Sequence, residues 1–134
     1  MDSASDEPVV QGAIDILDQL QVDYEVRVMS AHWNPVKVRE YALTARERGI
    51  EVFISAAGGS GALCGVLAAW STIPVIGIPL ASSDLKGIDA LLGTVQMPLG
   101  VPVACMGVGS PGPRNRTCSR NRCSSRPPPA RRSQ

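Results

Sequence analysis

The chain has 134 residues, 44% of them hydrophobic and 4% aromatic, which suits one domain with a core of Ala, Val, Ile and Leu. Its formal net charge is only +1. It contains no apolar run of membrane-spanning length and does not begin with a basic segment followed by an apolar one, so we expect no membrane partner, no secretion and a cytoplasmic location.

The small net charge averages two unlike segments. Residues 1–109 carry 12 acidic and six basic side chains, whereas residues 110–134 carry seven Arg and no acid. We therefore predict an α/β domain over 1–109 and a disordered basic tail rich in Pro, Arg and Ser over 110–134. The tail has no aromatic residue that could stack on a base, which argues against a nucleic-acid partner. Cys118 and Cys123, both in the tail, have neither the C-x-x-C spacing nor the nearby His of a zinc site.

Helical and strand patterns alternate along residues 1–109. Apolar residues at helical spacing, with capping residues before them, predict helices over 8–21, 35–48, 62–70 and 87–95. Alternating or continuous apolar runs predict strands over 22–29, 51–57, 73–80 and 101–108. This order is typical of a three-layer α/β/α domain with a parallel sheet and right-handed crossovers, flavodoxin-like or Rossmann-like.

The loops that follow the predicted strands should gather at one edge of the sheet, where ligands bind in open α/β folds. These loops are 30–35, 57–61 and 81–84. The loop Ser3–Asp6 should join them if it follows a strand.

His32 is the candidate catalytic residue, and it is the only histidine in the chain. Asn34 is a suitable N-cap, and Pro35 fits the first helical position, where no backbone N–H is needed. The histidine is therefore presented at the carboxyl end of a predicted strand, immediately before a helix. A lone histidine is more often a packing or surface residue, so its interpretation depends on its neighbours.

Two other loops contain residues suited to ligand binding. Ser3, Ser5 and Asp6 precede a helix whose N-terminus could bind an anion such as phosphate, although their spacing alone favours simple helix capping. The turn Gly58-Gly59-Ser60-Gly61 lies between a strand and a helix and allows close approach of a ligand to the backbone. It does not match the G-x-G-x-x-G fingerprint of dinucleotide binding.

Four motifs occur in order along the chain. Met1-Asp2-Ser3-Ala4-Ser5-Asp6 is similar to Met-Gly-Ser-x-Ser-Asp, and Ser30-Ala31-His32-Trp33-Asn34-Pro35 to Ser-Ala-His-Arg-x-Pro. Ala57-Gly58-Gly59-Ser60-Gly61-Ala62-Leu63-Cys64-Gly65 loosely matches Ala-Gly-Gly-Ala-Ala-His-Leu-Pro-Gly, and the run Val95 to Ala104 matches Val-Gln-Met-Pro-x-Gly-Val-Pro-Val-Ala. Through these motifs, residues 1–109 resemble the PurE family, the N5-carboxyaminoimidazole ribonucleotide mutases and AIR carboxylases of de novo purine biosynthesis.

The resemblance implies an isomerase or lyase that moves a carboxylate from the exocyclic nitrogen of an aminoimidazole ribonucleotide to its ring carbon. CO2 is the other reactant, no metal or organic cofactor is needed, and the family usually assembles as a homo-octamer. His32 would be the general acid and base, because an imidazole can both give and take a proton near neutral pH. The remaining residues implied by the resemblance would bind the phosphate, ribose, base or CO2: Ser3, Ser5, Asp6, Ser30, Trp33, Gly58 and Gly59.

Three positions of the expected site differ from the mutase pattern. Trp33 stands where the mutases have Arg, and Ala62 stands where they have a second His. Asp2 stands where they have Gly and adds a negative charge beside the expected phosphate site. A PurE-like carboxylase or decarboxylase of another heterocyclic nucleotide, and an inactive paralogue, are therefore alternatives. The resemblance also implies a strand ahead of Ser3 and a long apolar helix after residue 109, so we expect a family member that is truncated or frame-altered at both ends.

Overall fold

The structure is a computed structural model that describes residues 1–109. In this range the chain forms four α-helices: α1 Glu7–Gln19, α2 Pro35–Thr44, α3 Ala62–Trp70 and α4 Ile88–Val95. It also forms three strands: β1 Phe53–Ala57, β2 Val75–Pro79 and β3 Ala104–Cys105. A short 3-10 helix, Ala4–Asp6, precedes α1. The predicted basic tail over 110–134, with Cys118 and Cys123, lies outside the described residues.

The three strands form one parallel sheet in the order β1-β2-β3. Phe53 pairs with Val75, and this register continues along five residues to Ala57 and Pro79. Helices alternate with these strands along the chain, as right-handed crossovers between parallel strands require. The α/β class and the flavodoxin-like architecture predicted from the sequence are confirmed. No helix in residues 1–109 is long and apolar enough to cross a membrane.

The core lies on both faces of the sheet. The larger cluster packs β1 against α2 and α3, and its buried members include Phe53, Val38, Ala42, Leu63 and Cys64. A smaller cluster on the opposite face contains Ala56, Ile78 and Leu80, with Met1, Val10 and Ile54 packed against it. Parallel strands that are covered on both faces are apolar throughout, which explains the continuous apolar runs of β1 and β2.

Gly77 in β2 marks the closest approach between a helix and the sheet. A Cβ at this position would lie 2.2 Å from Cγ2 of Thr94 in α4 and 3.1 Å from Sγ of Cys64 in α3. The missing side chain therefore lets both helices pack directly against the strand. Cys64 is fully buried here, whereas Cys105 is only half-buried.

The strand predicted over 22–29 is wrong. The structure has no strand at these residues. The Met1 ammonium donates to the Arg27 carbonyl at 2.9 Å, and the Met29 N–H donates to the Met1 carbonyl at 2.9 Å. A strand requires a ladder of such pairs, and one residue of partner does not provide it. Tyr24, Val26 and Val28 therefore alternate as in a strand, although the segment does not form one.

The other elements differ from the prediction mainly in length. α3 begins and ends where predicted, and α2 ends at Thr44 and continues as turns to Gly49, which has φ +81°. The last strand is much shorter than the predicted 101–108, because only Ala104 and Cys105 pair with β2. Pro102, which has no N–H to donate, precedes the paired residues.

Candidate active site

Asp2 connects the loops at the carboxyl edge of the sheet. Its N–H donates to the Ala56 carbonyl near the end of β1 at 3.0 Å. Its carboxylate oxygen Oδ1 accepts a hydrogen bond from the Ala31 N–H at 3.3 Å. The N-terminal loop therefore lies between the turn that carries His32 and the end of the strand that precedes Gly58. The predicted convergence of these loops is confirmed.

Ser3 and Ser5 lie at the entrance of α1, in a loop closed by its own side chains. The Ser5 N–H donates to Ser3 Oγ at 3.3 Å, and the Ser3 N–H donates to the Asp6 carboxylate at 3.0 Å. The two serine hydroxyls are 2.8 Å apart and both residues are exposed. α1 follows directly, and its N-cap Asp6 makes no side-chain capping hydrogen bond. Hydroxyls next to a helix N-terminus suit an anion.

Asp6 differs from the two serines because it is buried, with 6% of its surface exposed. Burial raises the pKa of its carboxyl above the ordinary value, and the hydrogen bond from the Ser3 N–H partly opposes this rise. The nearby carboxylate of Asp2 raises the pKa further. Asp6 thus holds the shape of the loop, while Ser3 and Ser5 present the accessible polar atoms.

The turn before α2 presents His32 to solvent. Ser30 is buried, and its Oγ accepts hydrogen bonds from the N–H groups of His32 at 3.3 Å and Trp33 at 3.5 Å. The Asn34 N–H donates to the Ser30 carbonyl at 3.0 Å and closes the turn. His32 is exposed, and Trp33 is 87% exposed. Ser30 therefore shapes the turn, and the two aromatic rings are left available.

The helix boundary predicted from Asn34 and Pro35 is confirmed, because α2 begins at Pro35 with Asn34 as its N-cap. The Asn34 side chain makes no capping hydrogen bond, however. The turn is closed by the hydrogen bond from the Asn34 N–H to the Ser30 carbonyl, which does not involve the N–H groups of α2. The position of His32 just ahead of the first helical turn is the same in either case.

The glycine turn 57–61 lies beside the loop 81–84. Gly59 has φ +55° and Gly61 has φ +63°, so both need the left-handed backbone that glycine adopts at low cost. A Cβ at Gly58 would fall 1.7 Å from Ser82 Oγ, which means that the turn and the loop 81–84 are in contact. A Cβ at Gly93 of α4 would fall 2.0 Å from the Ser60 carbonyl oxygen, so α4 supports the turn from behind.

Sequence reasoning missed two residues of this edge. Asp2 was considered only as a negative charge near an anion site, but it is the residue that joins two loops. Ser82 was not singled out, although it is the neighbour that excludes a side chain at Gly58. Both roles depend on contacts between residues far apart in the chain, and no local sequence signal reports them.

The arrangement provides three chemical elements at one edge of the sheet. One is an exposed imidazole, another is a pair of hydroxyls at a helix N-terminus, and the third is a turn whose backbone can be approached closely. Together they suit a small anionic substrate with a planar group, on which one proton is moved. Within residues 1–109 no cluster of side chains could hold a metal ion.

Comparison with known proteins gives concordant results. A family model described as AIR carboxylase matches residues 1–123. The N5-carboxyaminoimidazole ribonucleotide mutase of Pyrococcus abyssi (strain GE5 / Orsay) is 55% identical over 108 residues, which are 81% of this chain and 62% of that protein. The mutase of the same name from Bacillus subtilis (strain 168) is 53% identical over 115 residues, which are 86% of this chain and 71% of that protein.

A solved structure is also similar. It is the crystal structure of a PurE2 variant from Treponema denticola, with a TM-score of 0.77 and 23% identity, covering 92% of this chain and 75% of that one. At this identity the likeness concerns the fold. The chain spans less than two thirds of the length of the Pyrococcus relative.

Proposed function

The chain belongs to the AIR carboxylase family, and we propose that it is a mutase of de novo purine biosynthesis. It moves the carboxylate of N5-carboxyaminoimidazole ribonucleotide from the exocyclic nitrogen to C4 of the ring. Relatives that are 47% to 55% identical over most of this chain carry the mutase name, which favours this reaction over another heterocyclic substrate or an inactive paralogue.

The reaction requires one proton to be delivered to the exocyclic nitrogen and one to be removed from C4. When the bond between nitrogen and carboxylate breaks, CO2 is released and the nitrogen takes a proton from the imidazolium of His32. The ring is an enamine, so its C4 attacks CO2 and forms the new carbon–carbon bond. The proton that C4 loses goes back to the imidazole, and the reaction ends as an isomerisation without net change in protons. No group in this sequence is oxidised or reduced.

The remaining residues bind and position the reactants in this proposal. Ser3 and Ser5 hold the phosphate through their hydroxyls at the N-terminus of α1, and Asp6 orders that loop beside the ribose. Ser30 fixes the turn of His32, and the exposed ring of Trp33 covers the substrate. Gly58 and Gly59 let the ring or CO2 lie against the backbone, which keeps CO2 close to C4 between the two bond changes.

The observation that carries the proposal is the position of Asp2. Its two hydrogen bonds, to the Ala56 carbonyl and from the Ala31 N–H, join the serine loop to the glycine turn on one side and to the histidine turn on the other. Three separate sequence motifs are thereby held at one edge of the sheet. The same residues in three unconnected places could not act on one substrate.

The test is turnover of N5-carboxyaminoimidazole ribonucleotide by the purified chain. We expect His32→Asn to lower kcat by about 100-fold to 10,000-fold with an unchanged thermal unfolding curve, because it removes the only proton carrier proposed. Glu47→Gln, an exposed substitution in the turns after α2, is the matched control and should leave kcat unchanged. Full activity of the His32→Asn variant would refute the mechanism. Turnover of a different carboxylated heterocycle alone, or binding without turnover, would support one of the two alternatives.

Assembly into a homo-octamer in the cytoplasm is part of the same proposal. Support for self-association comes from the outer face of α4, where Ile88, Leu92 and Val95 follow one another at helical spacing and are each at least half exposed. A contiguous apolar face of this kind marks a protein interface. Native mass spectrometry tests the stoichiometry, and a monomer at micromolar concentration would contradict it. Cell fractionation tests the location.

A further inference from the structure

Thr94, in the last turn of α4, is a buried residue whose hydroxyl has no partner. Only 1% of its surface is exposed, and its oxygen Oγ1 makes no hydrogen bond within residues 1–109. A buried hydroxyl without a partner destabilises a fold, so native structures contain few of them. The stability of the resting fold therefore does not explain why a hydroxyl stands at this position.

Thr44, at the end of α2, shows the ordinary arrangement of a threonine near a helix end. Its hydroxyl donates to the Glu40 carbonyl, four residues earlier in the same helix, at 2.9 Å. The corresponding acceptor for Thr94 is the Ala90 carbonyl, and that hydrogen bond is not formed. The two threonines occupy similar helix positions, so the difference lies in the surroundings of the Thr94 side chain.

The two branches of the Thr94 side chain have different neighbours. The methyl carbon Cγ2 fills the space that Gly77 leaves open over β2, 2.2 Å from where a Cβ of Gly77 would lie. The oxygen Oγ1 faces the glycine turn, 2.9 Å from where a Cβ of Gly61 would lie. Thr94 therefore lies against the sheet through its methyl group and against the glycine turn through its hydroxyl.

The glycine turn presents one carbonyl group to α4. A Cβ at Gly93 would lie 2.0 Å from the Ser60 carbonyl oxygen and 2.9 Å from its carbon, so this carbonyl points at the helix. In a trans peptide the C=O and the following N–H point in opposite directions, so the Gly61 N–H points away from α4. It donates to the Gly58 carbonyl at 3.1 Å and closes the turn. The orientation of the Ser60 carbonyl thus determines the orientation of the donor that holds Gly58.

We propose that Thr94 is a positioning residue whose hydroxyl donates to the Ser60 carbonyl when a reactant lies on the glycine turn. The inference rests on the proposed function, in which Gly58 and Gly59 hold the ring or CO2. The hydrogen bond forms through a small movement of the turn toward α4, and it fixes the peptide group between Ser60 and Gly61. Thr94 itself contacts no reactant, and no bond of the substrate forms or breaks at it.

The proposal assigns separate effects to the two groups of this side chain. The methyl group packs on β2 whether or not the turn is occupied, so it acts on stability. The hydroxyl gains a partner only when the turn is occupied, so it acts on the reaction. Thr94→Val keeps the shape and the methyl group without the hydroxyl, whereas Thr94→Ser keeps the hydroxyl without the methyl group.

The test measures turnover of N5-carboxyaminoimidazole ribonucleotide and the melting temperature for both variants of the full chain. We expect Thr94→Val to lower kcat by about threefold to tenfold, the effect of one hydrogen bond, and to melt no lower than the parent. Thr94→Ser should keep kcat within about twofold and melt about 4 °C lower or more. Thr44→Val is the matched control, because that hydroxyl bonds within α2, and it should leave kcat unchanged.

Amide hydrogen exchange gives a second readout that does not depend on turnover. The probe is the reaction product, which carries its carboxylate on C4 of the ring. At saturation it should slow exchange at the Gly61 amide by about tenfold in the parent chain and in Thr94→Ser. In Thr94→Val this protection should be lost, because the Ser60 carbonyl then has no donor in α4.

Two outcomes would overturn the proposal. Losses of kcat that follow the melting temperatures, largest in Thr94→Ser, would show that the residue acts through packing alone. Equal protection of the Gly61 amide in Thr94→Val and in the parent chain would show that the hydroxyl does not hold the turn. A parent chain that binds the product without turnover would refute the proposed function, and the exchange comparison would still decide the role of Thr94. A parent chain that does not bind the product would overturn both.

Discussion

β1 and residues 23–27 both line one cavity of about 500 Å³, and they differ in their backbone pairing. β1 is paired with β2 over five residues and its inner face packs on α3. Residues 23–27 belong to no sheet among the described residues, and the Tyr41 hydroxyl donates a hydrogen bond to the side chain of Glu25 at 2.9 Å. Both segments have strand sequences, but only the one with a backbone partner is a strand. Whether a segment with high β-propensity forms a strand therefore depends on whether a neighbouring strand is available for pairing.

The largest expected difference in the free energy of unfolding is between a substitution in the paired strands and one in the unpaired segment 22–29. Ile78 in β2 is fully buried, so Ile78→Ala should lower the free energy of unfolding by about 2–5 kcal/mol. Val28, beside Met1, is exposed, and Val28→Ala should change it by about 0.5 kcal/mol or less. Urea unfolding of both variants checks the contrast. Similar losses for the two would mean that the unpaired segment contributes as much as the sheet.

A methyl group added at Gly77 tests how closely β2 packs against α4. Its Cβ would overlap Cγ2 of Thr94, so Gly77→Ala should cost about 1–3 kcal/mol. Thr94→Ser removes that methyl group, and the double variant should regain most of the loss. A double-mutant cycle by urea unfolding measures the coupling. A neutral Gly77→Ala would show that α4 can shift away from the sheet at little cost.

Tyr41→Phe tests the weaker attachment of residues 23–27. Burial, followed by the hydrogen bond and the charge of Glu25, raises the pKa of Tyr41 from 10.0 to about 12. The hydroxyl therefore stabilises the fold fully below pH 10, and this contribution is lost as the pH rises towards 12. At pH 7 the variant should lose roughly 0.5–1.5 kcal/mol. The difference between parent and variant should shrink from pH 9 to pH 11, and a constant difference would contradict the assigned contact.

The smallest effect concerns the Met1 ammonium group, which donates to the Arg27 carbonyl. Its pKa is lowered by desolvation, so the folded state binds this proton less readily than the unfolded state. The resulting stability is present above the ordinary value near pH 8 and is lost as the pH falls below it. Nα-acetylation should remove this dependence between pH 9 and pH 7, measured by thermal unfolding. A slope that persists after acetylation would have to come from another group.

Sequence reasoning predicts α3 and the paired strand β1 correctly, and it fails for the unpaired segment 22–29. α3 is identified to the residue because Gly61 with φ +63° begins it and extended Ser71 ends it, both of them local events. The predicted strand 51–57 contains β1, because its apolar run matches a strand buried on both faces. The segment 22–29 was predicted on an equally good local pattern, and that prediction failed because pairing is not a local property.

The candidate site divides in a similar way. His32, Ser3 and Gly58 could be selected from their positions next to predicted strands and helices, since these positions are set by local sequence. The part played by Asp2 could not, because it depends on Ala31 and Ala56, which lie far away in the chain. The exclusion of a side chain at Gly58 likewise depends on a distant hydroxyl.

The hydrogen bonds of Met1 and Asp2 affect how far the loops of the candidate site can vary. Three of the four hydrogen bonds that position Met1 and Asp2 join main-chain groups only. The spacing of the loops at the sheet edge is therefore insensitive to most substitutions in those loops. Side chains in the loops, such as those of Trp33 and Ala62, can therefore differ from the mutase pattern without loss of these main-chain hydrogen bonds.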